Sequence, residues 1–171
     1  MASTLESIAK TLLNNKTSDE IGKSLGISSE DASAVLAAVL PQLLQGATAQ
    51  ASSAKTQDSF AEALESHSTN YTSDLAKFFK NVDIEDGAKI VGHLLGADQK
   101  KVATQASKKT GIDTKQVIKI AAAAAPLVMT LIGNATKKEK KKAKDDSTLA
   151  SIAKAALSSV DANAILKALI K

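Results

Sequence analysis

Few side chains in this chain have the type and spacing to do chemistry. Two histidines, His67 and His93, could act as acid, base or metal ligand near neutral pH. They lie far apart in the chain and neither belongs to an HExxH spacing, so structural roles are expected, for His93 packing or a hydrogen bond to a backbone carbonyl. The acidic run Asp83-Ile84-Glu85-Asp86-Gly87 resembles part of a calcium loop. Its glycine is out of register, however, and no glutamate closes the loop at the required position. These carboxylates are expected to precede a helix and meet the positive end of its dipole. Serines are many, but none stands in a GxSxG elbow, and none of the eight glycines forms GxGxxG or a Walker A pattern. Cysteine is absent, which excludes disulfides, thiolate metal sites and cysteine catalysis. No catalytic residue, cofactor or metal is expected. An enzyme remains a reading only if the fold assembles a site, for example a polar pocket lined by His93.

The basic residues point the same way. All 22 are lysines, which removes the bidentate grip of arginine on phosphate, carboxylate and guanine. Of the formal net charge of +4, the run Lys137 to Lys144 alone contributes six lysines and one glutamate, leaving the rest of the chain slightly acidic. The basic character is one solvated strip, in which Lys137, Lys138, Lys140, Lys141 and Lys142 are the candidate polyanion contacts. Aromatic residues make up 2% of the chain, too few for a base-stacking surface. A helix-turn-helix-like stretch, Glu20-Ile21-Gly22-Lys23-Ser24-Leu25-Gly26-Ile27-Ser28, recurs around Gly111; the would-be recognition helix offers Ser28, Ser29, Glu30, Ser33 and Ala34 in the first copy, and in the second Thr114, Lys115 and Lys119 without arginine or a row of amides. Nucleic acid is therefore a disfavoured partner, and nonspecific association through this turn and the lysine strip is the alternative function.

The elements that must position these groups are helices. At 171 residues with 44% hydrophobic and 23% charged residues, the chain has ordinary globular composition and length for one domain. Apolar residues recur at helical spacing and no segment alternates as a strand would. Ser3 with Glu6 and Thr17 with Glu20 fit capping boxes that open helices at about 3–14 and 18–25. Gly26 suits the left-handed closing position, and Ser28 or Ser29 caps a third helix, apolar on most sides, that carries Val35, Leu36, Val39, Leu40, Leu43 and Leu44. Two further helices are expected near 60–66 and 73–80, after a weakly amphipathic or flexible stretch over 47–59.

Shifting the chain by about 85 residues superposes Gly26-Ile27 on Gly111-Ile112, Ala37-Ala38 on Ala122-Ala123 and Pro41 on Pro126. This predicts an all-α domain over 1–133 built from two pseudo-symmetric three-helix repeats, 1–46 and 84–133, joined by a connector over 47–83. Pro41 and Pro126 fall inside the third helix of each repeat and predict kinks there, because proline lacks an N–H and clashes with the carbonyl four residues back. Gly92 and Gly96 are expected to allow close helix packing. A lysine-rich linker over 134–146 leads to a helical tail over 147–171. The tail opens by repeating Ser3 to Lys10 at seven of eight positions, from Ser147 to Lys154, which marks Leu149, Ile152, Ile165, Leu166 and Leu169 as an interaction arm.

Three stretches, Ile90 to Gly96, Thr110-Gly111-Ile112 and Ala125 to Met129, resemble the YidB-like family of bacterial proteins of unknown function. Ala63-Leu64-Glu65-Ser66-His67 and the N-terminal half extend the resemblance to roughly 1–135. It implies a small, cytosolic, all-α protein and brings no activity or catalytic residue. No Sec-type signal opens the chain, and the nearly apolar run Ile120 to Ile132 reaches only about 20 Å, so a cytoplasmic protein without a membrane span is expected. The expected function is non-catalytic: binding protein, foremost itself as a homo-oligomer.

Overall fold

In the computed structural model, which describes residues 4–67 and 74–142, the chain is all-helical, with no strand among the described residues. The helices are α1 (Thr4–Leu12), α2 (Asn15–Leu25), α3 (Ser29–Ser52), α4 (Gln57–His67), α5 (Leu75–Lys80), α6 (Ile84–Leu95), α7 (Gln99–Thr110) and α8 (Thr114–Lys142). A single 3-10 turn, Gly96–Asp98, joins α6 to α7. Helix starts follow side-chain caps. Ser28 Oγ accepts from the Asp31 N–H at 3.1 Å at the start of α3. Asp83 Oδ1 accepts from the Glu85 and Asp86 N–H groups at 3.0 and 3.1 Å, which fixes the start of α6. For α2 the expected Thr17–Glu20 box is not used. Asn14 takes the cap, its side chain accepting from the Lys16 N–H at 2.8 Å, while buried Thr17 donates its hydroxyl to the Thr11 carbonyl at 2.7 Å and ties α1 to α2. The box on Ser3 and Glu6 lies outside the described residues and side chains.

Gly26 and Gly111 close α2 and α7 in the left-handed conformation, at φ 70° and 76°, and each donates its N–H to the carbonyl four residues back. Two boundaries differ from expectation. Helix α3 continues to Ser52, because Ala47 and Ala51, both fully buried, prolong its core-facing stripe. Helix α8 likewise continues to Lys142, through residues expected as a linker, and Thr136 is fully buried, with its hydroxyl donated to the Ile132 carbonyl at 2.7 Å. The last part of that linker and the whole tail, with Leu149, Ile152, Ile165, Leu166 and Leu169, lie outside the described residues.

Helix α8 is the axis of the core. Every residue from Ile120 to Thr130 is buried, and α1, α2, α3, α4, α6 and α7 all pack against it. Helix α3 is less enclosed than its composition predicts. Ala34 is exposed and Ala37, Ala38 and Pro41 are half-buried, whereas Ala122, Ala123 and Pro126 on α8 are buried. The two prolines lie inside these helices, each of which runs on beyond its proline.

Close helix packing falls at glycines other than those expected. A Cβ on Gly87 of α6 would collide with the Ala122 carbonyl oxygen of α8 and stand 2.7 Å from its carbonyl carbon. That oxygen is the one deprived of its helical donor by Pro126, and the Gly87 α carbon now covers it. A Cβ on Gly46 of α3 would likewise collide with the Leu94 carbonyl of α6. Gly92, by contrast, has room: its Cβ would meet only Gln99 Oε1, at 3.8 Å. Gly96, at φ 55° with nothing nearby, serves as the turn that ends α6.

Candidate functional site

A cleft of about 370 Å³ lies between the end of α4, helix α5, the start of α6 and Pro126 of α8. Local rules explain how each side chain reaches it. His67 is the last residue of α4, and its ring leans back on the preceding turn, where Nδ1 meets the Ala63 carbonyl. Asp74 caps the short α5 through the Lys77 N–H at 3.2 Å and sets Lys77 and Phe78 on the cleft wall. Asn81 follows, donating its side-chain amide to the Lys77 carbonyl at 2.9 Å. Asp83 and Asp86 arrive with the first turn of α6, and the crossing at Gly87 brings Pro126 to the floor.

Histidine 67 is the pivot. Its side chain is 16% exposed, with Nδ1 2.9 Å from the Ala63 carbonyl oxygen and Nε2 3.4 Å from Asp86 Oδ2. Since a carbonyl can only accept, Nδ1 carries the hydrogen and donates it. Nε2 then faces the carboxylate and forms an ion pair with it whenever the ring takes up a second proton. Nδ1 thus ties the ring to its own helix, and Nε2 stands beside the carboxylate at the start of α6, bonded to it only in the doubly protonated ring. Phe78, half-buried, stands edge-on to buried Phe79, with ring centroids 5.3 Å apart. The cleft therefore combines an apolar floor of Phe78, Val82 and Pro126 with charges of both signs. Among the described residues, its lining contains no serine, threonine or tyrosine hydroxyl.

Sequence reasoning considered His67 and the acidic run separately. No spacing rule joins the last residue of one helix to the first turn of another across α5, so the pairing was not legible. The His93 pocket takes a different form. The recess that His93 touches, about 160 Å³, is lined mainly by apolar side chains, among them Phe60, Ala63, Ile90, Leu94 and Met129. The His93 side chain is exposed and not packed; its backbone carbonyl accepts from Gln50 Nε2 at 3.0 Å. No group of three or more His, Asp or Glu side chains able to hold a metal ion occurs among the described residues.

The other sequence-marked residues are dispersed. Ile27 and Ile112, after the left-handed glycines, are half-buried against the core and make the two turns packing devices. Lys137, Lys138, Lys140, Lys141 and Lys142 fall on the last turns of α8. By length and composition alone, α3 and the stretch Thr114–Thr136 of α8 could cross a membrane, although most of the latter is buried within the protein.

Neither the curated proteins nor the solved structures include a significant match to this chain. A family described as bacterial proteins of unknown function, DUF937, matches residues 8–135, from buried Ile8 of α1 to the penultimate turns of α8. The chain therefore belongs to this family, of which YidB is a member.

Proposed function

We propose that this protein is a non-catalytic interaction module that assembles with copies of itself, the cleft of one copy receiving an apolar segment of another. The observation that carries this reading is the make-up of the cleft: a floor of Phe78, Val82 and Pro126, a histidine tied to its own helix through Nδ1, and Asp83 and Asp86 at the rim, outnumbering the one lysine, Lys77. Such a surface holds an aliphatic side chain and selects for positive charge beside it. The end of the tail has that chemistry, with Ile165, Leu166 and Leu169 beside Lys167 and Lys171.

The scaffold beneath the cleft is a duplicated unit in this proposal. In support, α2 and α7 close at left-handed glycines 85 positions apart, and α3 and α8 carry their prolines 85 positions apart. In this reading the two prolines bend α3 and α8 around each other; in support, α3 packs against α8. The proposal also places the protein in the cytoplasm, with α8 as a core helix and not a membrane span, supported by the burial of Ile120 to Thr130.

The experiment is a mass measurement by light scattering on the wild-type chain and on Phe78→Glu, a substitution at a half-buried position, with the melting temperature read alongside. Wild type is expected at a multiple of 17.7 kDa and the variant at 17.7 kDa with its melting temperature retained. A wild-type chain that stays at the single-chain mass at high concentration overturns the reading.

A further inference from the structure

We infer that residues 149–157 of the tail are a second claimant for the groove in which α1 lies, so that α1 is an exchangeable helix. The inference is independent of the cleft. It starts from one apolar pattern that the chain writes three times: Ile8-Ala9-Lys10-Thr11-Leu12-Leu13 in α1, Ile90-Val91-Gly92-His93-Leu94-Leu95 in α6, and Ile152-Ala153-Lys154-Ala155-Ala156-Leu157 in the tail. In both described copies the same three positions are buried. Ile8, Ala9 and Leu12 are 3%, 0% and 0% exposed, and Ile90, Val91 and Leu94 are 8%, 2% and 7% exposed. Positions i, i+1 and i+4 share one helix face, so Ile152, Ala153 and Ala156 form the corresponding face of the third copy.

Residue 149 decides which of the two helices the tail copy can replace. Helix α6 has Gly87 five positions before its Gly92, and the missing side chain is what lets α6 lie on the Ala122 carbonyl. The tail has Leu149 at that register, as α1 has Leu5. A leucine cannot make the glycine crossing, whereas it suits the place of α1, whose sequence the tail repeats at seven of eight positions from Ser147 to Lys154. Helix α1 is nine residues long and packs mainly on α8 and α2.

The exchange draws on a short tether. The described part of α8 reaches Lys142, and the six residues between it and Leu149 can span at most about 20 Å. A segment so tethered meets its groove at an effective concentration of order mM, well above the micromolar concentration of other copies. The ranking of the two claimants also follows from sequence. Where α1 inserts Leu12, fully buried, the tail offers Ala156, so α1 holds the groove and the tail copy is the weaker substitute. Displacing α1 therefore leaves a groove that refills from within, and the Ile8-Ala9-Leu12 face becomes available.

A double-mutant cycle in the full-length chain tests this, with Ile8→Ala and Ile152→Asp alone and together, read as melting temperature by far-UV circular dichroism. Ile152→Asp is expected to be silent in the wild-type background, with a shift below about 1 °C, and to lower the melting temperature by about 5 °C or more in the Ile8→Ala background. An equal shift in both backgrounds overturns the inference, as does an Ile8→Ala chain that no longer folds, because the tail would then have failed to substitute. The coupling is expected to be independent of protein concentration. One that fades on roughly hundredfold dilution puts a neighbour's tail in the groove and overturns exchange within the chain. Running the same cycle with Phe78→Glu present separates this test from that of the cleft.

Discussion

Gly87→Ala is the sharpest probe of how this core is held. The added methyl group would collide with the Ala122 carbonyl oxygen, lie 2.7 Å from its carbonyl carbon and 3.2 Å from Pro126 Cδ. Comfortable carbon contacts are about 3.5–4.0 Å, and two of these neighbours are backbone atoms that cannot swing aside. Helices α6 and α8 must therefore separate by about 1 Å, a gap that forfeits a quarter to a half of each dispersion contact along the seam. Ile90, Val91 and Leu94, all buried on α6, feel that loss together. Overpacking of this kind costs about 1–3 kcal/mol or more, against which alanine returns about 1 kcal/mol of helix propensity. The net expectation is a destabilisation of about 1 kcal/mol, or a drop of roughly 2–4 °C in melting temperature. Gly92→Ala is the control in the same helix. Its methyl group meets only Gln99 Oε1 at 3.8 Å, so propensity acts unopposed and the variant gains up to about 1 kcal/mol. Both are measured by urea and thermal unfolding followed by circular dichroism. A Gly87→Ala protein as stable as the wild type refutes the reasoning.

Two further outcomes are expected. Gly26→Ala and Gly111→Ala each cost about 1 kcal/mol through backbone conformation alone, since a Cβ at either position meets nothing within 4 Å; equal shifts in urea midpoint are the check, and a silent substitution contradicts a left-handed closure. Ser18→Ala raises stability by up to about 1 kcal/mol in the same assay, because its buried hydroxyl is the one buried side-chain polar atom without a hydrogen-bond partner among the described residues.

The contrast between α3 and α8 shows where reading the chain alone stops. Both are long, alanine-rich and interrupted by proline, and composition predicts that both are buried on most sides. Only α8 is. Helix α6 covers it through the Gly87 crossing, while the matching residues of α3, Ala37 and Pro41, stay half-buried. Composition states what a helix can bury but not which neighbour arrives. Membership of the family was legible from a few short stretches because turn glycines and packed apolar pairs recur in fixed order. The pairing of His67 with Asp86 was not, since it depends on the angle at which two helices meet.

What the sequence determined by itself is local: the helical class from apolar periodicity, the starts at Ser28 and Asp83 from side chains that accept free backbone N–H groups, and the stops at Gly26 and Gly111 from a backbone conformation that glycine alone adopts cheaply. What only the tertiary structure decided is pairwise. It chose Gly46 and Gly87 over Gly92 as points of close approach, carried α3 and α8 beyond their expected ends, and joined a histidine to a carboxylate across a cleft. Caps and periods act within a few residues of chain, whereas a contact between helices depends on the atoms of both, and nothing in one helix specifies the surface it will meet.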